Sequence, residues 1–216
     1  KYEGNSGTGS PSMQLGDSSS AKTVNSLFTD DTGASLLAQS GVWKNPMISD
    51  DQNQSIQLTA DGPNRLTLAE LETSGMVKYQ NQFRVSGQSE TTPLIIHVSA
   101  DDVKDGVLQL PSYADAGNQE NDSAVSYILW DLSDVTGDVT VEPAGGKDRL
   151  RGAIYAPNAS ITIPEQNIQF EGQLIAQNFT DNSTGQEIHT NLFKGLIPRL
   201  GTGTITPSAS TSSTPT

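Results

Sequence analysis

The chain of 216 residues contains no cysteine. That excludes disulfide frameworks, thiolate metal sites, cysteine nucleophiles and internal thioesters, and it is compatible with an exported bacterial protein that does not rely on oxidative folding. Histidine is nearly as scarce: His97 and His189 are the only two. Positive charge is short as well, with 12 Lys and Arg against 25 Asp and Glu and a formal net charge of −13. A surface of that sign repels nucleic acid and anionic membranes, so neither is an expected partner. No apolar run approaches the roughly 18 residues that span a bilayer, so no membrane insertion is expected. No secretion leader is legible either, and the chain is read as mature, internal or trimmed.

What is present divides into three stretches. Residues 1–20 are rich in Gly and Ser and are expected to be loose, with Met13–Leu15 as a candidate short strand. Residues 201–216, GTGTITPSASTSSTPT, hold ten Ser or Thr, two Pro and no charge. Such a segment buries too little apolar area to offset its ordering entropy and reads as a disordered linker. Between them, over residues 21–200, short bursts such as SIQLTA, PLIIHV, SYILWDL, DVTV, GAIYA, SITI and GQLIA alternate with Gly, Asn, Asp and Pro. Bursts of four to six residues rich in Ile, Val and Thr define an all-β domain. Helical signals are few: a capping box at Thr67–Glu70 with Gly75 as its stop, and a weaker candidate at Ala34–Gly41.

Three of these segments say nearly the same thing. LWDLSDVT from Leu129, AIYAPNAS from Ala153 and QLIAQNFT from Gln173 align without a gap, at intervals of 24 and 20 residues. The alignment sets Trp130, Ile154 and Leu174 in one column and Leu132, Ala156 and Ala176 in another, both apolar and both on one side of a strand. It sets Asp134, Asn158 and Asn178 in a third column and Thr136, Ser160 and Thr180 in a fourth. Ile96 and Val98 fit the two apolar columns and add an earlier copy. A period near 20 that holds two or three short strands is what one coil of a β-solenoid requires, because stacked coils place like residues in contact. The fold class expected is therefore a right-handed β-solenoid with irregular coils and at most one or two short helices. A β-sandwich is the alternative. Residues 92–200 carry the coils, and 21–91 are assigned to the same domain without a pattern of their own.

YILWDLSDV, RGAIYAPNASITI, FEGQLIAQNF and EIHTNLFKG, in that order over about residues 92–195, resemble the bacterial choice-of-anchor A domain family. The resemblance implies a non-catalytic adhesive module of exported, mostly Gram-positive surface proteins. Such a module would bind a host or environmental glycan or a matrix protein, and would be held at the cell wall by a C-terminal region outside this chain. The pattern is also similar to that of ice-binding-like domains. A structural stalk presenting another domain is the alternative function. Ice binding and polysaccharide cleavage are the less favoured ones.

Residue chemistry bears on each of these readings. His97 alternates with Ile96 and Val98 and is expected to face outward; His189, in EIHT, is expected to make a structural hydrogen bond. Neither sits at metal-ligand or triad spacing. Asp101, Asp102, Lys104 and Asp105 could form a catalytic cluster or a Ca²⁺ site but read more naturally as a turn, and Asp115, Glu120 and Asp122 as a solvated loop; no cofactor other than a candidate Ca²⁺ is expected, and no EF-hand spacing is present. The Asn-x-Ser/Thr triplets at Asn53, Asn121, Asn158, Asn178 and Asn182 are read as chance in so Ser/Thr-rich a chain. Lys44, beside Trp43 and Asn45, and Lys78 are candidates for an internal Lys–Asn crosslink that no motif supports. Tyr79 and Tyr113 are candidate exposed aromatics. No catalytic, metal or ligand-binding residue is assigned.

Overall fold

The computed structural model describes residues 28–29, 35–39, 41–48, 55–60, 62–114, 123–164, 167–182 and 188–198. The expectations for residues 1–20, for 201–216, for the acidic loop at Asp115–Asp122, for Asn53 and for the Tyr79 side chain fall outside them. Ten strands of three or more residues are described: β1 (Asn64–Thr67), β2 (Leu94–His97), β3 (Val107–Leu110), β4 (Ile128–Asp131), β5 (Gly137–Pro143), β6 (Arg149–Arg151), β7 (Ala153–Ile163), β8 (Gln169–Gly172), β9 (Leu174–Asp181) and β10 (Ile188–Thr190). Every pairing among them is parallel. Among the described residues the only antiparallel strands are Met47–Ile48 against Ile56–Gln57. A sandwich is built from antiparallel hairpins, so that alternative does not describe this sheet.

The strands form a curled parallel sheet with two walls. The first wall runs β1-β2-β4-β7-β9, and the second runs β3-β5-β7-β9. β7 and β9 belong to both because each turns the corner without leaving the sheet. β6, β8 and β10 form a separate three-stranded third wall. Register joins Leu66, Ile96, Trp130, Ile154 and Leu174 across the first wall. The apolar column read from the sequence is therefore real, and Leu66 extends it into the part that carried no pattern. Inward positions of all three walls, among them Ile96, Trp130, Leu108, Val141, Ile161, Leu150 and Phe170, meet in one core. Each buried Leu, Ile or Val contributes roughly 1.5–3 kcal/mol.

The polar columns are not where the gapless alignment sets them. The residues paired along the second wall are Asp138, Ser160 and Asn178, then Thr140, Thr162 and Thr180. The cause is a corner that shortens from coil to coil. From first-wall row to second-wall row the chain takes eleven steps (Ile96 to Val107), ten (Trp130 to Thr140), eight (Ile154 to Thr162) and finally six (Leu174 to Thr180). β4 and β5 are separated by a loop, β7 keeps the surplus as a bulge between Ala156 and Ser160, and β9 runs through as one strand. Asn158 consequently stands in the bulge and donates to the Ser133 carbonyl at 2.9 Å, while Asn178 donates to Ser160 Oγ at 3.2 Å.

Two helices follow β1. Thr67 and Glu70 close the expected capping box: Glu70 N–H donates to Thr67 Oγ1 at 3.1 Å and Thr67 N–H to Glu70 Oε2 at 2.7 Å. The first helix, α1 (Leu68–Thr73), is capped by Ser74 and ends two residues before Gly75, which instead opens α2 (Gly75–Gln80), ended by Asn81 at φ 51°. Leu68, Leu71 and Val77 seat both helices on the core. The candidate at Ala34–Gly41 contains one 3-10 turn, Leu36–Ala38.

The outer side of the first wall is apolar too, and is covered. Ile95, Leu129, Ala153 and Tyr155 are buried there with Phe28 and Leu37 from before β1. After β10 the chain runs back across the strands as an extended strap, residues 191–198. Asn191 N–H donates to the Gly172 carbonyl, Lys194 N–H to that of Ser126 and Leu196 N–H to that of Glu90. Phe193 and Ile197 face the sheet and pack on the same cluster, while Leu192 and Leu196 are exposed.

Candidate functional site

The second wall presents an outward strand surface whose polar rows repeat over β5, β7 and β9, with β3 alongside. Alternation puts Val139, Val141, Ile161 and Ile163 in the core and turns Asp138, Thr140, Glu142, Ser160 and Thr162 outward. Thr140, Thr162 and Thr180 form a hydroxyl row running on from Val107; beside it lies the row Asp138, Ser160, Asn178. Parallel stacking spaces the members of a row at about 4.8 Å and the two rows about 6.6 Å apart. Neighbours are tied across coils, Asn178 to Ser160 as above and Gln109 Nε2 to Glu142 Oε1 at 2.8 Å. The result is an in-register, hydroxyl-rich array able to make several simultaneous hydrogen bonds.

A family model described as "Putative Ice-binding-like adhesive domain" matches residues 1–190. The chain belongs to this family. The match takes in the stretch before Thr92, where the sequence alone offered no family pattern. No curated protein and no solved structure matches the chain. Membership brings an adhesion-like and hence surface-exposed role.

Elsewhere this adhesive domain carries one concentrated polar cluster, on the outer side of the first wall. His97 and Asp131 are in register on β2 and β4, with Tyr155 next in the row on β7. Asp131 is fully buried. Its carboxylate accepts from Arg65 at 3.3 Å, lies 3.2 Å from His97 Nδ1, and accepts from Ser133 Oγ at 2.6 Å and Ser133 N–H at 3.1 Å. Burial pushes the Asp131 carboxyl up, but the hydrogen bonds from His97 and Ser133 outweigh it and hold it below its ordinary value. Burial, and then the Asp131 charge, push the Tyr155 phenol up. Arg65 reaches on to the Leu37 carbonyl at 2.7 Å and stacks 5.2 Å from the Trp43 ring centroid.

The cluster pins the covering segment to the wall and does not assemble a nucleophile. Ser133 contacts Asp131 rather than His97, and His97 Nε2 faces Asp134 at 3.4 Å. His97 does face outward, as strand alternation requires, but it is mostly buried there and is held between Asp131 and Asp134. Asp131 itself carried no signal, because an Asp between Trp and Leu scans as a strand-end polar residue. The lowered carboxyl makes this stabilisation depend on pH. The stabilisation is present above the unfolded value near 3.9 and is lost as pH falls through the folded value. Asp131→Asn is expected to cost about 2 kcal/mol at neutral pH. It should also flatten the loss of stability between pH 5 and pH 2, measured by urea unfolding across that range; an unchanged acid limb would remove Asp131 from this role.

Other candidates find structural places. Asp102 caps the turn at Ser99, accepting from its N–H at 2.7 Å and Oγ at 2.9 Å; Lys104 donates to the Asp101 carbonyl and Asp105 takes a left-handed turn at φ 52°. Glu72, raised by burial and then by Asp102 and partly offset by Lys104, lies against the same turn. Among the described residues no group of three or more His, Asp or Glu could hold a metal ion. Tyr113 is buried against Phe83, with ring centroids 5.8 Å apart, and is not an exposed aromatic. His189 lies in register with Glu171, which pairs with Arg151 at 3.1 Å. Lys44 bridges to Asn64 through the backbone, and Lys78 stands exposed in the last turn of α2. Thr140 and Thr162 were missed by the sequence columns. Aligning the triplets Val139-Thr140-Val141, Ile161-Thr162-Ile163 and Phe179-Thr180-Asp181 would have found them.

Proposed function

We propose that this chain is a cell-surface binding module, built as a right-handed β-solenoid, that holds its bearer to a glycan or protein surface by contact and without turnover. The observation that carries this is the in-register array of Thr140, Thr162 and Thr180 beside Asp138, Ser160 and Asn178. A repeated, in-register face suits adhesion, where area and repetition matter more than a pocket. Family membership supports the same reading, as does the return of the chain to the first wall at intervals of 30, 34, 24 and 20 residues. The choice-of-anchor A resemblance adds a Gram-positive wall as the site of display, with the Ser/Thr/Pro stretch 201–216 as the start of a stalk.

The test is a binding screen of the full chain against a glycan array and a matrix-protein panel, in Ca²⁺ and then EDTA. A saturable hit is expected. Thr162→Arg, which sets a bulky charge in the middle of the array, should weaken it at least about tenfold while changing stability by no more than about 0.5 kcal/mol. A hit indifferent to Thr162→Arg would move the site elsewhere, and silence from folded protein would favour a spacer. The threonine row also favours adsorption to ice, which a thermal-hysteresis measurement separates.

A further inference from the structure

Resting on the second wall as the contact face, we infer that its ligand is a neutral, unbranched polysaccharide lying across the strands, along the stacking direction. Charge decides the first term. The outward positions of this wall hold two carboxylates, Asp138 and Glu142, and no Lys or Arg, in a chain with 25 acidic and 12 basic residues. A sulfated or uronate polymer would be repelled along its whole length. The threonine hydroxyls are each donor and acceptor, and among the described residues none is occupied by another side chain, so a sugar hydroxyl can engage them in either sense.

Geometry decides the rest. The hydroxyls of Thr140, Thr162 and Thr180, one per coil at about 4.8 Å, are a linear ruler across β5, β7 and β9, whereas along β5 and β9 the outward residues change chemistry within two positions. A ligand with a short regular repeat satisfies the row; a branched one lifts off it. No aromatic side chain stands at an outward position of the second wall, so there is no stacking platform there to hold a single sugar. Affinity must come from the number of coils engaged, and it should rise with chain length. The β-branched threonines and the bridged pairs Asn178–Ser160 and Gln109–Glu142 are ordered before the ligand arrives, which lowers the entropic cost of each contact.

The experiment titrates the full chain with a linear β-1,4-glucan, a linear β-1,4-mannan, the carboxymethylated glucan, and glucan oligomers of increasing length. Binding to a neutral polymer is expected, at least about tenfold tighter than to the carboxymethylated form and strengthening with oligomer length. It should be lost at least about tenfold in Thr140→Val/Thr162→Val/Thr180→Val, which keeps the β-branched shape and removes three hydroxyls. A second variant, Asp138→Asn/Glu142→Gln, removes both carboxylates and should narrow the preference for the neutral over the carboxymethylated glucan at least about threefold, so the charge argument survives any folding defect of the triple variant; an unchanged preference overturns it. If the valine variant instead abolishes binding to an anionic glycan or a matrix protein, the ligand class is wrong and the contact face stands. Binding that ignores the valine variant, or no binding by any ligand, overturns both.

Discussion

Trp130→Ala should lower the stability of this domain by about 3–5 kcal/mol, the largest loss expected from any single side chain here. Trp130 is 1% exposed and sits in the middle of the inward column, between Ile96 and Ile154 in register. Its ring meets Phe83 edge-on, with centroids 5.8 Å apart and planes at 87°. Its Nε1–H donates to the Arg151 carbonyl at 2.8 Å and so links the first wall to the third. Truncation opens a cavity that flanking coils cannot close, because their spacing is fixed by backbone hydrogen bonds on both sides, and it leaves a buried carbonyl without its donor. Trp130→Phe retains most of the apolar area and should cost about 1–2 kcal/mol, the difference reporting the lost bond and the smaller ring. Urea unfolding followed by circular dichroism reads both; a loss under about 1 kcal/mol for the alanine variant would take Trp130 out of the core.

Gly172→Ala should cost about 3 kcal/mol although it adds a single methyl group. A Cβ at Gly172 would lie 2.0 Å from the Gly152 carbonyl oxygen and 2.7 Å from its carbon, both backbone atoms of the coil before. The coils cannot part there without stretching the bonds from Gly152 N–H to the Glu171 carbonyl and from Ile154 N–H to the Gln173 carbonyl, 3.0 and 2.7 Å long. Gly152 itself is required for a second reason, a φ of +107°. This explains why both repeats, GAIYAPNA and GQLIAQNF, open on glycine: one needs the backbone angle and the next needs the space. Gly137→Ala is the control. Nothing lies within 4 Å of its Cβ and only its φ of +82° is strained, so about 1–2 kcal/mol is expected. Equal losses at Gly137 and Gly172 would mean that stacking is looser than the backbone bonds imply.

The repeat was legible because stacking makes chemistry recur. Trp130, Ile154 and Leu174 touch across coils, each is surrounded by the same core, and each is therefore apolar. Where recurrence is not enforced the sequence misleads. The Asp134, Asn158, Asn178 column looked equally good, yet Asp134 faces His97, Asn158 fills a bulge and Asn178 bonds Ser160. A solvent-facing corner can drop two residues per coil with no change of residue type, so a gapless alignment has no means of detecting it.

The sequence by itself determined the strand-rich class, the absence of thiol chemistry, the inward column of the first wall and the capped helix after Thr67, all of which rest on local pattern or nearest-coil contact. Only the tertiary structure decided that Thr140, Thr162 and Thr180 form one row, that Asp131 is buried with Arg65 and His97, and that Phe28, Leu37, Phe193 and Ile197 cover the first wall. Those arrangements depend on the residue count at each corner and on contacts between segments far apart in the chain, and neither leaves a periodic trace in the order of the amino acids.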